Sequence, residues 1–292
     1  MTQPADRFAA HFGEGGVRHF ATGPAEAARP AAATPALIDG LTLPLQVSPY
    51  FHTSADEPAS LSAYVRSIGR PLDEPGHATW ARLGSDRAYD LAVTPDGEVW
   101  GILIGYDEPN RFVNTTAENF ANGLLHLDQA LQAISSTDDP DVAKAAFEAL
   151  DAALRHADEP AFSSTEHWWP LVLEDIRTTA GVQTYATFEF TTAAGLRQTI
   201  SEHSTLCAHP EERLWAGLSA AGIQPEDVTR IHTEIQACFT PGHYCALWLE
   251  LQFPDARLTH NLPYGDTAEQ RAASLRRLQE APGNRRPGNS NP

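Results

Sequence analysis

The sequence predicts two domains in series: an α+β domain over residues 8–178, then an α/β domain over residues 182–282, with a disordered tail over 283–292. Three observations carry this. The chain has 292 residues, enough for two separate cores. In the first part a cluster of strand signals precedes a run of helical ones, whereas after Gly181 the signals follow the order ββαβαβα. The net charge of −18 is uneven: residues 1–181 carry 26 acidic and 11 basic side chains, a net −15, while residues 182–292 carry 12 and 9, a net −3.

Within the first domain, residues 7–20 hold a helical pattern anchored by Phe8, Phe12 and Phe20. Residues 22–35 are rich in Ala and Pro and read as a loop. Residues 36–50 set apolar residues between Gly and Pro breakers, which favours a turn and an irregular extended segment. Strands are expected at 78–83, 89–94 and 98–106, and the turn Pro95, Asp96, Gly97 makes the last two a hairpin. Asn114, Thr115 or Thr116 caps a helix over 116–134, with Phe120, Leu124, Leu127 and Leu131 at helical spacing. Further helices are expected over 140–156 and 164–177, the latter packing Trp168, Trp169, Leu171 and Ile176. His77, His126, His156 and His167 are scattered and read as surface or packing residues.

The segments R-L-G-S-D (82–86), L-A-V-T-P-D-G-E-V-W (91–100) and F-V-N-T-T (112–116), with Phe120 and the later W-W helix, resemble the SUKH immunity superfamily. Those are α+β domains found beside toxins in bacterial conflict systems. The resemblance implies protein binding rather than catalysis. The acidic balance agrees, since it repels a phosphate backbone and suits a protein partner with a basic face; acidity also serves plain solubility.

In the second domain, strands at 183–191 and 196–204 form a hairpin through T-A-A-G (192–195). Pro210 suits the first turn of a helix that carries Leu214, Trp215 and Leu218 to Gly222. A strand at 228–235, a helix at 242–252 with Leu247 and Leu251 on one face, a strand at 256–262 and a helix at 267–280 complete the order.

All three cysteines fall in this domain near histidines, which points to metal or free thiols rather than a disulfide framework. His209, Cys238 and Cys245 supply the three protein ligands of a hydrolytic zinc site, whose fourth position is left to water. Glu211 lies two positions past His209, about 200° away on a regular helix. An extended His209 at the helix start lets one side chain reach the metal and the other the water. Cys238, His243 and Cys245 form a rival set. A purely structural zinc would want a fourth protein ligand and leaves Glu211 unused. Cys207 reads as a small buried thiol. Glu234 shares a strand face with His232 and is expected beside the zinc ligands. His243 is expected at the pocket mouth, and His243, Tyr244, His260 and Tyr264 are expected to bind substrate, the last two by contact with the base.

H-P-E-E-R-L-W (209–215), V-T-R-I-H-T-E-I-Q-A-C (228–238) and P-G-H-Y-C-A-L-W (241–248) resemble the deaminases of bacterial polymorphic toxin systems, in the zinc cytidine deaminase-like superfamily. The resemblance covers residues 182–281. It implies an αβα sandwich, Zn2+ on His209, Cys238 and Cys245, Glu211 as proton shuttle, and hydrolytic release of ammonia from cytosine or adenine in a nucleobase, nucleotide or single-stranded nucleic acid. Two departures stand out: Ala237 where that family has Pro, and six residues between the cysteines where it has two. The alternative is a degenerate deaminase fold acting as an immunity or protein-binding module. A third expectation is that the acidic domain restrains the deaminase in cis. No apolar run is long enough to span a membrane, and the polar start M-T-Q-P-A-D-R-F favours the cytoplasm, with export by a signal-less route left open.

Overall fold

A computed structural model of the chain describes residues 4–21, 35–72 and 74–280. Most of the loop expected at 22–35, and the tail expected at 283–292, lie outside these residues. The chain forms two compact units, Met1–Leu173 and Glu174–Pro292.

The first unit opens with helix α1 (Pro4–Phe12), which stops at Gly13 in the left-handed region (φ 77). The helix expected over 7–20 therefore ends early. Gly13, Gly15 and Gly16 break it, and Val17–His19 becomes strand β1, antiparallel to β2 (Thr42–Pro44). Six further strands form an antiparallel sheet in sequential order: β3 (Gln46–Val47), β4 (Phe51–His52), β5 (Ala81–Ser85), β6 (Asp90–Val93), β7 (Val99–Ile102) and β8 (Arg111–Asn114). The expected hairpin is β6–β7, closed by Gly97 at φ 91 and with Val93 opposite Val99. β7 ends at Ile102, four residues before the expected end at 106. Strand β4, strand β8 and helix α2 (Leu61–Ser67), whose cap is Ser60, lie outside the expected elements. At Gly84 a side chain has no room: an added Cβ would stand 2.5 Å from the His52 carbonyl oxygen.

Helices α3 (Ala117–Ser135) and α4 (Pro140–Ala157) pack on each other. Helix α5 (Trp168–Gly181) starts at the tryptophans rather than at 164 and runs on to Gly181, so the boundary expected at 178–181 lies inside a helix. The core of the first unit chains Phe51, Phe120, Trp168 and Trp169 through edge-to-face contacts at 5.5, 6.0 and 4.7 Å. Each buried indole finds an acceptor: Trp168 Nε1 donates to Asp86 (2.7 Å) and Trp169 Nε1 to Asn114 (2.8 Å). Asn114 in turn donates to Asp158 (2.8 Å), which also accepts from the Thr115 amide (2.8 Å). Arg82, fully buried, is held by Asp90 and Glu57, each at 2.6 Å.

The second unit has strands β9 (Tyr185–Thr191), β10 (Arg197–His203), β11 (Val228–Ile235) and β12 (Arg257–Leu262) in the order β10-β9-β11-β12. β10–β9 and β9–β11 are antiparallel; β11–β12 is parallel and is joined through helix α7 (Cys245–Gln252). Helix α6 (Pro210–Ala220) precedes β11 and helix α8 (Ala268–Glu280) follows β12, so the expected ββαβαβα order is realised. Phe188 lies between Ile200 and Ile231 in register, on the face that packs Leu214 and Leu218 of α6 and Leu249 of α7, with Phe253 just beyond. The buried stripe of α7 is Cys245, Leu249 and then Phe253 at four-residue spacing. The expected Leu247–Leu251 face is corrected accordingly: Leu251 is 64% exposed. The other sheet face is polar, with Thr187 bonded to Ser201 (2.7 Å) and His232 to Thr259 (3.0 Å).

Candidate active site

Two helix starts of the second unit meet. At the first, Cys207 turns the chain in a left-handed conformation (φ 50), and its amide donates to Thr179 Oγ1 at 3.0 Å. His209 follows as an extended N-cap (φ −75, ψ 149), and Pro210 occupies the first turn of α6. Glu212 returns to accept from the His209 amide (3.3 Å). This extended geometry lets His209 and Glu211 serve one space from positions that a regular helix would turn apart. Glu211 is 4% exposed.

At the second start, Cys238 leaves β11 and Cys245 opens α7. The six residues between them fold back on themselves. The amides of His243 and Tyr244 both donate to the Thr240 carbonyl, at 3.2 and 3.1 Å, and Gly242 (φ 82) and Tyr244 (φ 48) reverse the chain. The Ala246 amide then donates to the Cys238 carbonyl (2.9 Å) and ties the two ends together.

The result is a compact donor set. His209 Nδ1 lies 3.4 Å from Cys238 Sγ and 3.4 Å from Cys245 Sγ. Tetrahedral zinc, with Zn–S of about 2.3 Å and Zn–N of about 2.0–2.1 Å, spaces its N and S donors about 3.5 Å apart. The side chains thus fit a thiolate–imidazole metal centre without rearrangement. Burial raises the Cys238 thiol, but a bond from Cys245 and the His209 charge override it and hold Cys238 well below the usual thiol range. Burial and the adjoining Cys238 push Cys245 well above it. Burial pushes the Glu211 carboxyl above its ordinary value, against the opposing pull of His209.

Asp175, His209 and His243 form a second close group. Its contacts, 2.8 Å from Asp175 Oδ1 to His209 Nε2 and 3.1 Å from Asp175 Oδ2 to His243 Nε2, are hydrogen-bond lengths. His243 Nδ1 meets Glu212 Oε2 at 2.9 Å. Burial works to lower His243, and the two carboxylates override it, raising the group to about 9.

A cavity of about 60 Å³ opens against this centre, lined by His209, Glu211, Cys238, Thr233, Tyr185 and Tyr264 among others. A larger cavity of about 300 Å³ in the first unit has His77, Glu74, Asp107 and Glu108 in its wall but no thiol; the imidazole and thiol donors line the smaller one.

The structure brings His209, Glu211, Cys238 and Cys245 together, and Tyr264 lines the cavity beside them. Other expectations are corrected. His243 is not at the mouth: it is 1% exposed, stacked on His209 at 3.8 Å, and both its nitrogens face carboxylates, which removes it from the rival ligand set. Tyr244 is buried and serves the turn. His260 is on edge strand β12, exposed and outside the cavity wall. Glu234 alternates away from Thr233 and Ile235, the β11 residues that line the cavity. The carboxylate on the ring of the donor histidine is instead Asp175, while Glu212 meets the stacked His243. One sequence signal marks Asp175: it falls in the helical stripe Trp168, Leu171, Val172, Asp175, Thr179, where a charge demands partners.

Two family models match the chain. One, described as SUKH-4 immunity protein, covers residues 3–175, and the other, described as Xanthomonas-like deaminase, covers residues 181–281. No curated protein and no solved structure matches. The knot of Asp86, Asn114, Asp158 and the paired tryptophans lies in the first matched stretch, and the donor set with its buried glutamate lies in the second. With the first stretch spanning more than half of its length, this chain belongs to the SUKH-4 immunity protein family, and a Xanthomonas-like deaminase domain follows that segment.

Proposed function

We propose that the second unit hydrolyses the exocyclic amine of a nucleobase, cytosine or adenine, in a nucleotide or single-stranded nucleic acid, with zinc held by His209, Cys238 and Cys245. The observation that carries this reading is the pair of equal 3.4 Å spacings from His209 Nδ1 to the two sulfurs, with buried Glu211 opening on the same cavity. Zinc in such a centre supplies Lewis acidity that makes water a nucleophile near neutral pH. Glu211 takes the proton of the attacking water, passes it to the ring nitrogen and returns a proton to the departing amine. A C–O bond forms at C4 of cytosine or C6 of adenine, the C–N bond breaks and ammonia leaves. The raised Glu211 carboxyl suits a group that both accepts and returns a proton. Tyr264, which lines the cavity beside the donor set, offers an aromatic ring to the base.

The acidic first unit suits a protein partner with a basic face, in a bacterial toxin and immunity setting; its family's description as an immunity protein supports that part of the reading. Among the described residues no helix is long and apolar enough to cross a membrane.

The test is metal analysis with ammonia release over free nucleosides, nucleotides, single-stranded DNA and RNA, wild type against Glu211→Ala. One zinc per chain and turnover lost in the variant are expected. A chain that binds zinc yet turns over nothing favours the degenerate, protein-binding alternative; a chain that binds no zinc removes the enzyme.

A further inference from the structure

We infer that Asp175, which lies before the deaminase-matched stretch begins, is a positioning residue of the metal centre. This rests on the zinc reading above. Asp175 is 6% exposed, and both its oxygens are engaged, one by His209 Nε2 at 2.8 Å and one by His243 Nε2 at 3.1 Å. His209 has two ring nitrogens; with Nδ1 facing the sulfurs, the bond from Nε2 to Asp175 sets the rotation of the ring. Carboxylates in this place fix the tautomer and orientation of a metal-binding histidine and raise its basicity.

The clamp closes on itself. The His243 ring lies 3.8 Å from the His209 ring and within 8° of parallel. Its Nδ1 meets Glu212 Oε2 at 2.9 Å, and Glu212 accepts from the His209 amide. His209 is thus held on its ring edge by Asp175, on its face by His243 and on its backbone by Glu212.

Asp175 is itself anchored. Its neighbour Glu174 makes a two-point pair with Arg271 of α8, at 2.7 and 2.9 Å, and Arg271 is 4% exposed. One turn further along α5, Thr179 accepts from the Cys207 amide two residues before His209. The C-terminal half of α5 therefore braces the metal centre at two points, although the deaminase match starts only at residue 181 and the SUKH-4 match ends at 175. The folding and catalytic unit is longer than the matched segment.

The experiment is zinc competition against a chelator dye on the full chain, with the absorption spectrum of the cobalt(II)-substituted protein as the second readout. Asp175→Ala is expected to weaken zinc binding about 10- to 100-fold and to change the cobalt bands. Asp175→Asn keeps one acceptor for His209 and is expected to recover part of that loss. Glu211→Gln is expected to leave zinc affinity within about twofold while removing turnover. Should Asp175→Ala fail to fold by circular dichroism, Asp175→Leu fills the same space without an acceptor and carries the comparison. Wild-type affinity with an unchanged cobalt spectrum in a folded Ala or Leu variant overturns the role of Asp175 and leaves the zinc reading standing. A wild-type chain that binds no zinc removes both.

Discussion

Cys238 and Cys245 have six residues between them and stand at the same 3.4 Å from one nitrogen of His209. The separation along the chain is absorbed by a turn in which Gly242 and Tyr244 both take positive φ and Ala246 bonds back to Cys238. At φ 82 a side chain on residue 242 meets its own backbone. Gly242→Ala is expected to cost about 1–2 kcal/mol in urea unfolding and to loosen zinc binding with it. Unchanged stability and unchanged zinc affinity together would show that the turn does not hold the cysteines.

Glu211 is buried beside the donor set and supplies no ligand atom to it. Glu211→Gln is therefore expected to bind zinc as the parent does while ammonia release falls by about 10²–10⁴-fold, the range for a lost general acid–base group. A variant retaining more than a tenth of parental turnover would move the proton shuttle elsewhere.

Much of this site could be read from residue types. A histidine and glutamate around Pro210 and two cysteines near a strand end are chemically rare, and strand 228–235 is legible to the residue because β-branched side chains recur along V-T-R-I-H-T-E-I. The apolar stripe marks Asp175 as a buried charge, but its partners are not legible, because they lie 34 and 68 residues away and only packing brings them together. The place of Glu234 is hidden by the same gap: the two-residue alternation identifies a shared face but not which face meets the metal donors. Strand β8 and helix α2 are illegible because four and seven residues carry little periodicity, and the three apolar anchors suggest a longer helix than α1 because they mask the glycines that end it.

Metal removal should act on one unit. Binding to the folded donor set adds stability that grows with free zinc, by about 2.7 kcal/mol at a hundred times the dissociation constant. Calorimetry of the full chain with and without chelator is expected to lower the transition that includes the fluorescence change of Trp215 and Trp248, which pack in the second core. The transition of the first unit, which has its own core, should stay in place. Equal shifts in both would mean that the two units unfold as one.

The last prediction concerns the knot in the first unit. Trp169 is 1% exposed and its indole N–H donates to Asn114, whose own amide reaches Asp158. Trp169→Phe removes the donor and part of the ring, leaving Asn114 Oδ1 buried without it. A loss of about 1–3 kcal/mol is expected from the unsatisfied acceptor, with a further cost from the cavity. Gly123 gives the complementary probe, since an added Cβ would lie 2.5 Å from the Trp169 ring. Gly123→Ala should therefore destabilise the parent protein, although alanine is the better helix former by about 1 kcal/mol. It should be far better tolerated beside Trp169→Phe, where the ring atom it strikes is gone. A double-mutant cycle by chemical denaturation measures this, and strict additivity of the two changes would mean that the tryptophan does not set the closeness of the α3 backbone.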